Sequence, residues 1–203
     1  PAFRSHYLAW SGRRRLAALS RRGLAVLPSH FVLRDRPIVE VVDGARVELG
    51  EGVVLDSAQR GYHVAMWGPV RLLADQPGAV IRIGAGTRVH GSGIHAESSI
   101  TIGKRCLIAA NCQLFDSNGH VIALDDPARR LDTAGTPRPI VLEDDVWLGT
   151  GVIVLPGTHI GAGSVIAAGS VVGGIVPPRT LMRGNPAVPV DRPARHSTTA
   201  EPR

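Results

Sequence analysis

The chain has 203 residues, of which 44% are hydrophobic and only 4% aromatic, so a single domain must build its core mainly from Val, Ile, Leu and Ala. The formal net charge of +6 is concentrated in residues 1–36, which contain eight Arg and one Asp. No known nucleic-acid-binding motif accompanies this charge, and nucleic acid is not an expected partner. No apolar run is long enough for a membrane span and no signal-peptide core is present, so we expect a cytoplasmic protein.

Residues 6–27 are predicted to form a short helix, because Leu16 and Leu19 share one face while most of the Arg side chains lie elsewhere. We assign residues 1–45 to a basic helical segment that caps the domain behind it. A β-solenoid exposes a terminal edge, and such a segment would cover it. The Arg cluster would also allow weak contact with an anionic surface, such as lipid head groups.

A strict period of six residues then dominates the sequence between 46 and 190. The repeat is cleanest from Leu142 to Pro177, where each block begins with Leu, Ile or Val and has a small or β-branched residue at its fifth position. This period predicts a parallel β-helix with three strands in each 18-residue coil. Leu142, Leu148 and Val154 should therefore stack on Ile160, Ile166 and Val172. Two fifth positions earlier in the repeat are Cys106 and Cys112, which we expect to be buried thiols.

The repeat is interrupted at 59–79 and again at 115–139. One residue is inserted between about 94 and 101. The spacing shows this, because a coil has 18 residues whereas 19 separate Ile83 from Ile102, Val89 from Ile108 and His95 from Leu114. The second interruption is rich in Pro and Gly, which predicts a long inserted loop, and such insertions commonly carry function. Residues 191–203 are polar and contain Pro, which predicts a disordered tail.

Four motifs occur in a characteristic order: FDSNGH, DDVWLG, VLPGTHIGAGSVIAAGSVV and RGNPA. In this combination the chain resembles the hexapeptide-repeat acyltransferases of the galactoside, maltose, xenobiotic and capsular-polysaccharide O-acetyltransferase branch. The resemblance implies an all-β, left-handed parallel β-helix and a homotrimer with its sites at subunit interfaces. It implies acetyl-CoA as co-substrate, no metal, and transfer of the acyl group to a hydroxyl of a saccharide or glycoconjugate. An amino acid or an antibiotic stays open as the acceptor.

The resemblance makes His120 the catalytic base, in a direct transfer without an acyl-enzyme. A neutral imidazole suits this task because the ordinary pKa of histidine is about 6.5. Asp116 is assigned to the catalytic site, where it would orient the acceptor, although Asp also commonly begins a turn. His90 and Asn118 are candidate acceptor-binding residues, and Asn118 could equally serve the turn.

For the acyl donor, the resemblance points to Trp147, Gly149, Thr150 and Ala168, which would line a groove between neighbouring subunits. An exposed Trp147 would also suit a trimer contact. Gly174 and Val188 stand where related sequences often have basic residues near the coenzyme A phosphates. We expect Arg179 or Arg183 to compensate, since guanidinium groups recognise phosphate well, and we assign Arg183 to the donor site.

Two rival functions follow from the same fold. His90 and His95 have the spacing of two zinc ligands in the γ-class carbonic anhydrases, but residues 50–58 contain no His to supply the third. A catalytically inactive scaffold trimer is the other rival, because two usual phosphate partners are missing.

Overall fold

A computed structural model of the protein describes residues 2–191, so the tail predicted for 191–203 lies outside the described residues apart from Asp191. The helices are α1 (Ala2–Arg21) and α2 (Arg129–Asp132). The first strands are β1 (Ala25–Val26), β2 (Val32–Arg34), β3 (Ile38–Val41), β4 (Arg46–Leu49), β5 (Val54–Asp56), β6 (Arg71–Ala74), β7 (Val80–Ile83), β8 (Arg88–His90), β9 (Gly93–Ala96), β10 (Ser99–Ile102), β11 (Leu107–Ile108) and β12 (Gln113–Phe115). The later strands are β13 (Ile140–Leu142), β14 (Trp147–Leu148), β15 (Ile153–Val154), β16 (His159–Ile160), β17 (Val165–Ile166), β18 (Val171–Val172), β19 (Ile175–Val176), β20 (Leu181–Gly184) and β21 (Ala187–Val190).

Every third strand joins the same sheet, which makes the molecule a three-sided β-helix. Sheet A contains β1, β4, β7, β10, β13, β16 and β19; sheet B contains β2, β5, β8, β11, β14, β17, β20 and β21; sheet C contains β3, β6, β9, β12, β15 and β18. Each coil runs from sheet A through sheet B to sheet C. The pairings between coils are parallel, and only the last pair, β20 with β21, is antiparallel. The sheet order confirms the fold predicted from the six-residue period.

The predicted stacking of the hexads is confirmed. Leu142 lies beside Ile160, Leu148 beside Ile166, and Val154 beside Val172. The fifth positions also point inward and are almost completely buried, in the order Val146, Val152, Thr158, Ser164, Ser170 and Val176. Cys106 and Cys112 are buried free thiols as expected, and burial raises the pKa of Cys112 to about 11. Truncating one of the large stacked side chains to Ala would cost about 2–5 kcal/mol of stability.

The N-terminal helix packs on the first coil and ends at Arg21, earlier than the predicted end at residue 27, because Gly23 with its φ of 75° turns the chain into β1. Leu16 and Leu19 are buried on β1–β3, and the guanidinium of Arg13 donates a 2.7 Å hydrogen bond to the carbonyl of Phe31. The predicted boundary at residue 46 was too late, however, because β1, β2 and β3 already form a complete first coil. Short strands between Ala25 and Val41 carry no recognisable hexad, which explains the error.

Part of the Arg cluster serves this cap rather than an outside partner. Arg22 pairs with Asp43 at 2.7 Å, and the guanidinium of Arg14 lies 4.7 Å from the ring centre of the exposed Trp10. Contact of the cluster with an anionic surface stays a prediction. Within residues 2–191, no helix combines the length and the apolar character that a membrane crossing requires.

Three local expectations are corrected by the strand register. The interruption predicted for 59–79 is shorter, since β6 is a regular strand of sheet C. Leu114 lies beside Ile94 rather than His95. The reason is that the corner between β8 and β9 has one residue fewer than the hexad period requires, whereas the corner between β9 and β10 is longer. The repeat also continues past Pro177, where β20 is the seventh strand of sheet B and places Met182 beside Ile166.

Candidate active site

The predicted site residues lie at two different corners of the triangular coil. The corner between sheets C and A carries the inserted loop at residues 116–139, followed by β13; we call it the loop corner. The corner between sheets B and C contains the short turns after β14 and β17; we call it the small-residue corner. Strands of sheet C separate the two corners, and at about 3.3 Å per residue their width is on the order of 10 Å.

His120 lies at the loop corner, where the two arms of the inserted loop pair. Its backbone forms an antiparallel bridge with Ala134, and the N–H of Gly135 donates a 3.1 Å bond to the carbonyl of Gly119. The side chain is exposed, and within residues 2–191 its imidazole has no hydrogen-bond partner. The backbone is thus fixed while both ring nitrogens are open to a substrate.

Asp116 has a different environment from the one we expected of an acceptor ligand. Its side chain is completely buried, and its two oxygens accept 2.8 Å hydrogen bonds from the backbone N–H groups of Glu97 and Ser98. Its own carbonyl accepts a bond from the N–H of Arg138, at the other end of the loop. With both oxygens occupied, the geometry favours an anchoring function at the base of the loop over contact with the acceptor.

Asn118 is exposed and lines a cavity of about 320 Å³ against the outer face of sheet C. The same cavity is lined by His95, Glu97 and Phe115. Asn118 and its neighbour Gly119 lead directly to His120, so the candidate acceptor residue and the candidate base share one stretch of backbone. The cavity is lined as far as Gly119, the residue before His120, although the His120 side chain does not line it.

His90 lies at the small-residue corner and does not line that cavity. Its Nδ1–H donates a 3.2 Å bond to the carbonyl of Ile108, and its ring stacks on Tyr62 with the centroids 4.7 Å apart. Burial is the main reason that the pKa of His90 lies below its usual range, although Asp56 nearby opposes the shift. His90 is therefore a neutral packing residue under the loop at 57–70. A direct acceptor contact is not supported by this position.

His95 makes a separate set of contacts on sheet C. Its Nε2–H donates a 2.9 Å bond to the carboxylate of Asp75, so the imidazole is oriented by a charged partner. His90 and His95 thus have unrelated surroundings and share no partner. Across residues 2–191 the structure has no group of three or more His, Cys, Asp or Glu side chains arranged to hold a metal ion.

The candidate donor residues come together at the small-residue corner on successive coils. A side chain on Gly149 would place its Cβ 2.6 Å from the backbone nitrogen of Ala168, so only Gly permits this close stacking. The carbonyl of Thr150 accepts a 2.8 Å bond from Gly169, and Arg183 follows Met182 one coil further along. Ala168 and Arg183 are exposed, so the small-residue corner presents accessible backbone at Ala168 and the guanidinium group of Arg183 on the next coil.

Trp147 lies on the outer face of sheet B, just before this corner. Its side chain is half-exposed, and it forms a ladder of outward-facing apolar residues with Leu107, Val165 and Leu181. We call these four side chains the sheet B ladder. A row of this kind on a water-soluble surface is typical of a contact with another protein surface.

Sequence reasoning missed the residues supplied by the loop at 57–70. Tyr62 stacks on His90, and Trp67 is 80% exposed beside sheet C. No periodic signal marks this loop, so only its aromatic residues could have drawn attention to it.

A family model described as bacterial transferase hexapeptide (six repeats) matches residues 139–174. Among curated proteins, the chain is 35% identical over 112 residues to galactoside O-acetyltransferase from Lactococcus lactis, a match that covers 51% of this chain and 52% of that protein. The chain spans about half the length of the curated relatives it matches.

Two solved structures share the fold over most of the chain. A hexapeptide-repeat acetyltransferase from Vibrio cholerae is 25% identical, with a TM-score of 0.53, and the match covers 92% of this chain and 90% of that one. A galactoside acetyltransferase solved in complex with coenzyme A is 23% identical, with a TM-score of 0.52, and the match covers 89% and 80%. These likenesses confirm the predicted left-handed parallel β-helix.

Proposed function

We propose that this chain is an acyl-CoA-dependent O-acyltransferase. It carries the hexapeptide repeat of the bacterial transferases on the left-handed β-helix of the hexapeptide-repeat acetyltransferases. Acetyl is the expected acyl group, and a hydroxyl of a saccharide or glycoconjugate is the expected acceptor. The observation that carries the proposal is His120, an exposed imidazole on a fixed backbone beside a cavity. The name of the galactoside-acetylating relative supports the class of acceptor.

The chemistry proposed for His120 is general base catalysis. The neutral imidazole takes the proton of the acceptor hydroxyl as that oxygen attacks the thioester carbonyl. A C–O bond forms and the C–S bond breaks, and the imidazolium then returns its proton to the departing thiolate. The products are the O-acyl acceptor and the free thiol, so no acyl-enzyme is required. Asp116 supports this step from a distance, by holding the loop on Glu97 and Ser98.

The acyl donor is proposed to lie along the small-residue corner. Ala168 presents exposed backbone there, one coil from Thr150, and an extended pantetheine chain needs such a surface for its amide groups. Arg183 lies at the far end, where a guanidinium could pair with the phosphates. The residues present therefore fit coenzyme A, despite Gly174 and Val188, and the solved relative in complex with coenzyme A supports the same co-substrate.

A homotrimer is proposed to complete the site. His120 and the donor residues occupy different corners of one chain, with sheet C between them, so a donor on the small-residue corner is remote from the base of the same subunit. A neighbouring subunit would bring its loop corner against this donor groove. The sheet B ladder, including Trp147, is the apolar surface available for that contact.

A thiol-release assay with acetyl-CoA tests the proposal against its rivals. We expect thiol release with at least one member of a panel of saccharides, amino acids and antibiotics, and loss of that release in the His120→Ala variant. Thiol release with only an amino acid or an antibiotic would show that the acceptor belongs to one of those classes and is not a saccharide. Absence of release with every acceptor would favour an inactive scaffold. Zinc bound to purified protein by elemental analysis would favour hydration chemistry instead.

A further inference from the structure

Trp67 is the most exposed tryptophan of the described residues, yet the backbone that carries it is firmly held. The side chain of Asn111 accepts a 2.9 Å bond from the N–H of Trp67 and donates a 3.0 Å bond to the carbonyl of Ala65. Met66 is buried between them, and the hydroxyl of Ser57 accepts a bond from Val70 at the end of the loop. An aromatic ring that is 80% exposed on such a backbone needs little ordering when it binds a partner.

The ring stands beside an open strip on the outer face of sheet C. Arg71, Gly93 and Gln113 lie side by side on β6, β9 and β12. Gly93 has no side chain of its own, and the flexible side chain of Gln113 lies over it, because a Cβ on Gly93 would be 2.6 Å from the amide oxygen of Gln113. The strip forms a second cavity of about 280 Å³, lined by Trp67, Ile38 and these three residues.

This second cavity adjoins the one beside the inserted loop, since Arg71, Gly93 and Gln113 line both. We call the two adjoining cavities on sheet C the groove. One end of the groove lies at Trp67, and the other lies at Asn118, two residues before His120. A ligand longer than one small ring could thus occupy both ends at once.

The groove suits a ligand rich in hydroxyl groups, because its charged side chains other than Glu97 are paired with an opposite charge. Arg71 already donates two hydrogen bonds to the carboxylate of Glu40, at 2.9 and 3.0 Å, so its charge is balanced. Within residues 2–191 the amide of Gln113 has no partner, which leaves two N–H donors and a carbonyl oxygen acceptor for a ligand. An exposed indole stacks well on the apolar face of a pyranose ring, and the hydroxyls at the ring edge take the polar contacts.

We propose that this groove binds a saccharide chain of at least two residues, with the reacting residue beside His120 and a more distant residue stacked on Trp67. The proposal rests on the proposed function and makes it more specific, since the acceptor becomes an oligosaccharide or polysaccharide rather than a single sugar. Trp67 is then a specificity-determining residue, and the flexible side chain of Gln113, which lies over Gly93, stands between the two subsites.

The test compares matched saccharides of increasing length, for example N-acetylglucosamine with its dimer and trimer, and glucose with maltose and maltotriose. In the thiol-release assay, the Trp67→Ala variant should lower kcat/KM for the longer member of a reactive series about tenfold more than for the monosaccharide. Trp67→Phe should retain part of the preference. Gly93→Ala, which places a methyl group in the strip, should also reduce it. Trp10→Ala, a change at an exposed tryptophan of α1, is the control and should have no effect.

Binding is measured separately by titrating the His120→Ala variant with the same saccharides and following tryptophan fluorescence. Length-dependent binding that needs Trp67, without thiol release in wild type, would leave this inference standing and overturn the proposed function. Three results would overturn the inference: an equal loss for short and long saccharides in Trp67→Ala, no binding of any saccharide in the panel, or a change of oligomeric mass in Trp67→Ala, which would make Trp67 a subunit contact.

Discussion

The carboxylate of Asp116 accepts a 2.8 Å hydrogen bond from the backbone N–H of Ser98, in a fully buried position below the inserted loop. Its other oxygen accepts the N–H of the preceding residue at the same distance. The aspartate thus joins two successive coils at the point where the loop leaves the solenoid. Its side chain fixes the loop through the backbone, and the candidate base four residues later depends on that fixed start.

Asp116→Ala should lower the free energy of unfolding by about 2 kcal/mol, because two buried N–H groups lose their acceptor. Asp116→Asn keeps one acceptor oxygen, so it should lower the free energy of unfolding by less than Asp116→Ala does. Denaturant unfolding measures both, and Asp125→Ala, at an exposed carboxylate of the same loop, is the control. If Asp116→Ala is as stable as wild type while its turnover is lost, then the carboxylate acts on the substrate and not on the loop.

His120→Ala should reduce turnover by about 10²–10⁴-fold, which is the usual contribution of a positioned general base. The unfolding midpoint should stay unchanged because the imidazole is exposed. His159→Ala, at an exposed histidine of sheet A that pairs with Glu143, is the matched control. Near-normal turnover in His120→Ala would exclude the histidine from the reaction.

His90 should make the fold sensitive to acid. Burial lowers its pKa in the folded protein, so the unfolded chain binds a proton more readily than the folded one. Stability should therefore be complete above the ordinary histidine pKa of about 6.5 and should decrease as the pH falls from there toward the lowered value. Unfolding curves at pH 7.5 and pH 5.5 measure the loss, and His90→Gln should show a smaller one. An equal loss in both proteins would assign the acid sensitivity to other groups.

Leu107→Glu should disrupt the proposed homotrimer, because it introduces a charge into the sheet B ladder next to Trp147. Light scattering after gel filtration would show a smaller particle, and the thiol-release rate should fall with it if the site needs two subunits. Ile175→Glu, on sheet A, is the control for an exposed apolar residue outside the ladder. A trimer that survives Leu107→Glu would place the subunit contact on another face.

Arg183→Ala should raise KM for acetyl-CoA about tenfold or more with little change in kcat, since a charge-assisted hydrogen bond contributes about 1.5–3 kcal/mol. The effect should disappear with acetyl-pantetheine, which lacks the nucleotide phosphates. Arg88→Ala, at an exposed arginine of the same sheet, is the control. An equal loss with both donors would mean that Arg183 does not contact the phosphates.

The coil was predictable because its constraint repeats. Each first position of a hexad must fill the interior, so an aliphatic residue recurs there, as at Leu142 and Ile160. Because the pattern is repeated many times, one irregular hexad does not prevent its recognition. The first coil had no such signal: its strands between Ala25 and Val41 are separated by turns of unequal length. Its membership in the solenoid depends on pairing with β4–β6, which a local pattern does not encode.

The site was predictable only where a motif could be compared. The motif around His120 identified an exposed histidine at the start of a loop, and the structure places it there. The same motif could not reveal that Asp116 points into the fold, since the direction of a side chain at a loop start depends on which coil lies below it. Trp67 and Tyr62 were missed for a related reason, because their loop is held by Asn111 and His90 from the following coils.

The spacing of the coils also fixes the distances between residues at the small-residue corner. Thr150, Ala168 and Arg183 occupy the same corner on three successive coils, and neighbouring coils are about 4.8 Å apart. The separation between the first and last of them is therefore a whole number of coils, on the order of 10 Å, and it cannot be adjusted gradually by mutation. Deleting or inserting an 18-residue block would change this length by one fixed step and leave every corner intact. The length of the proposed acyl-donor site would thus change only in steps of one coil.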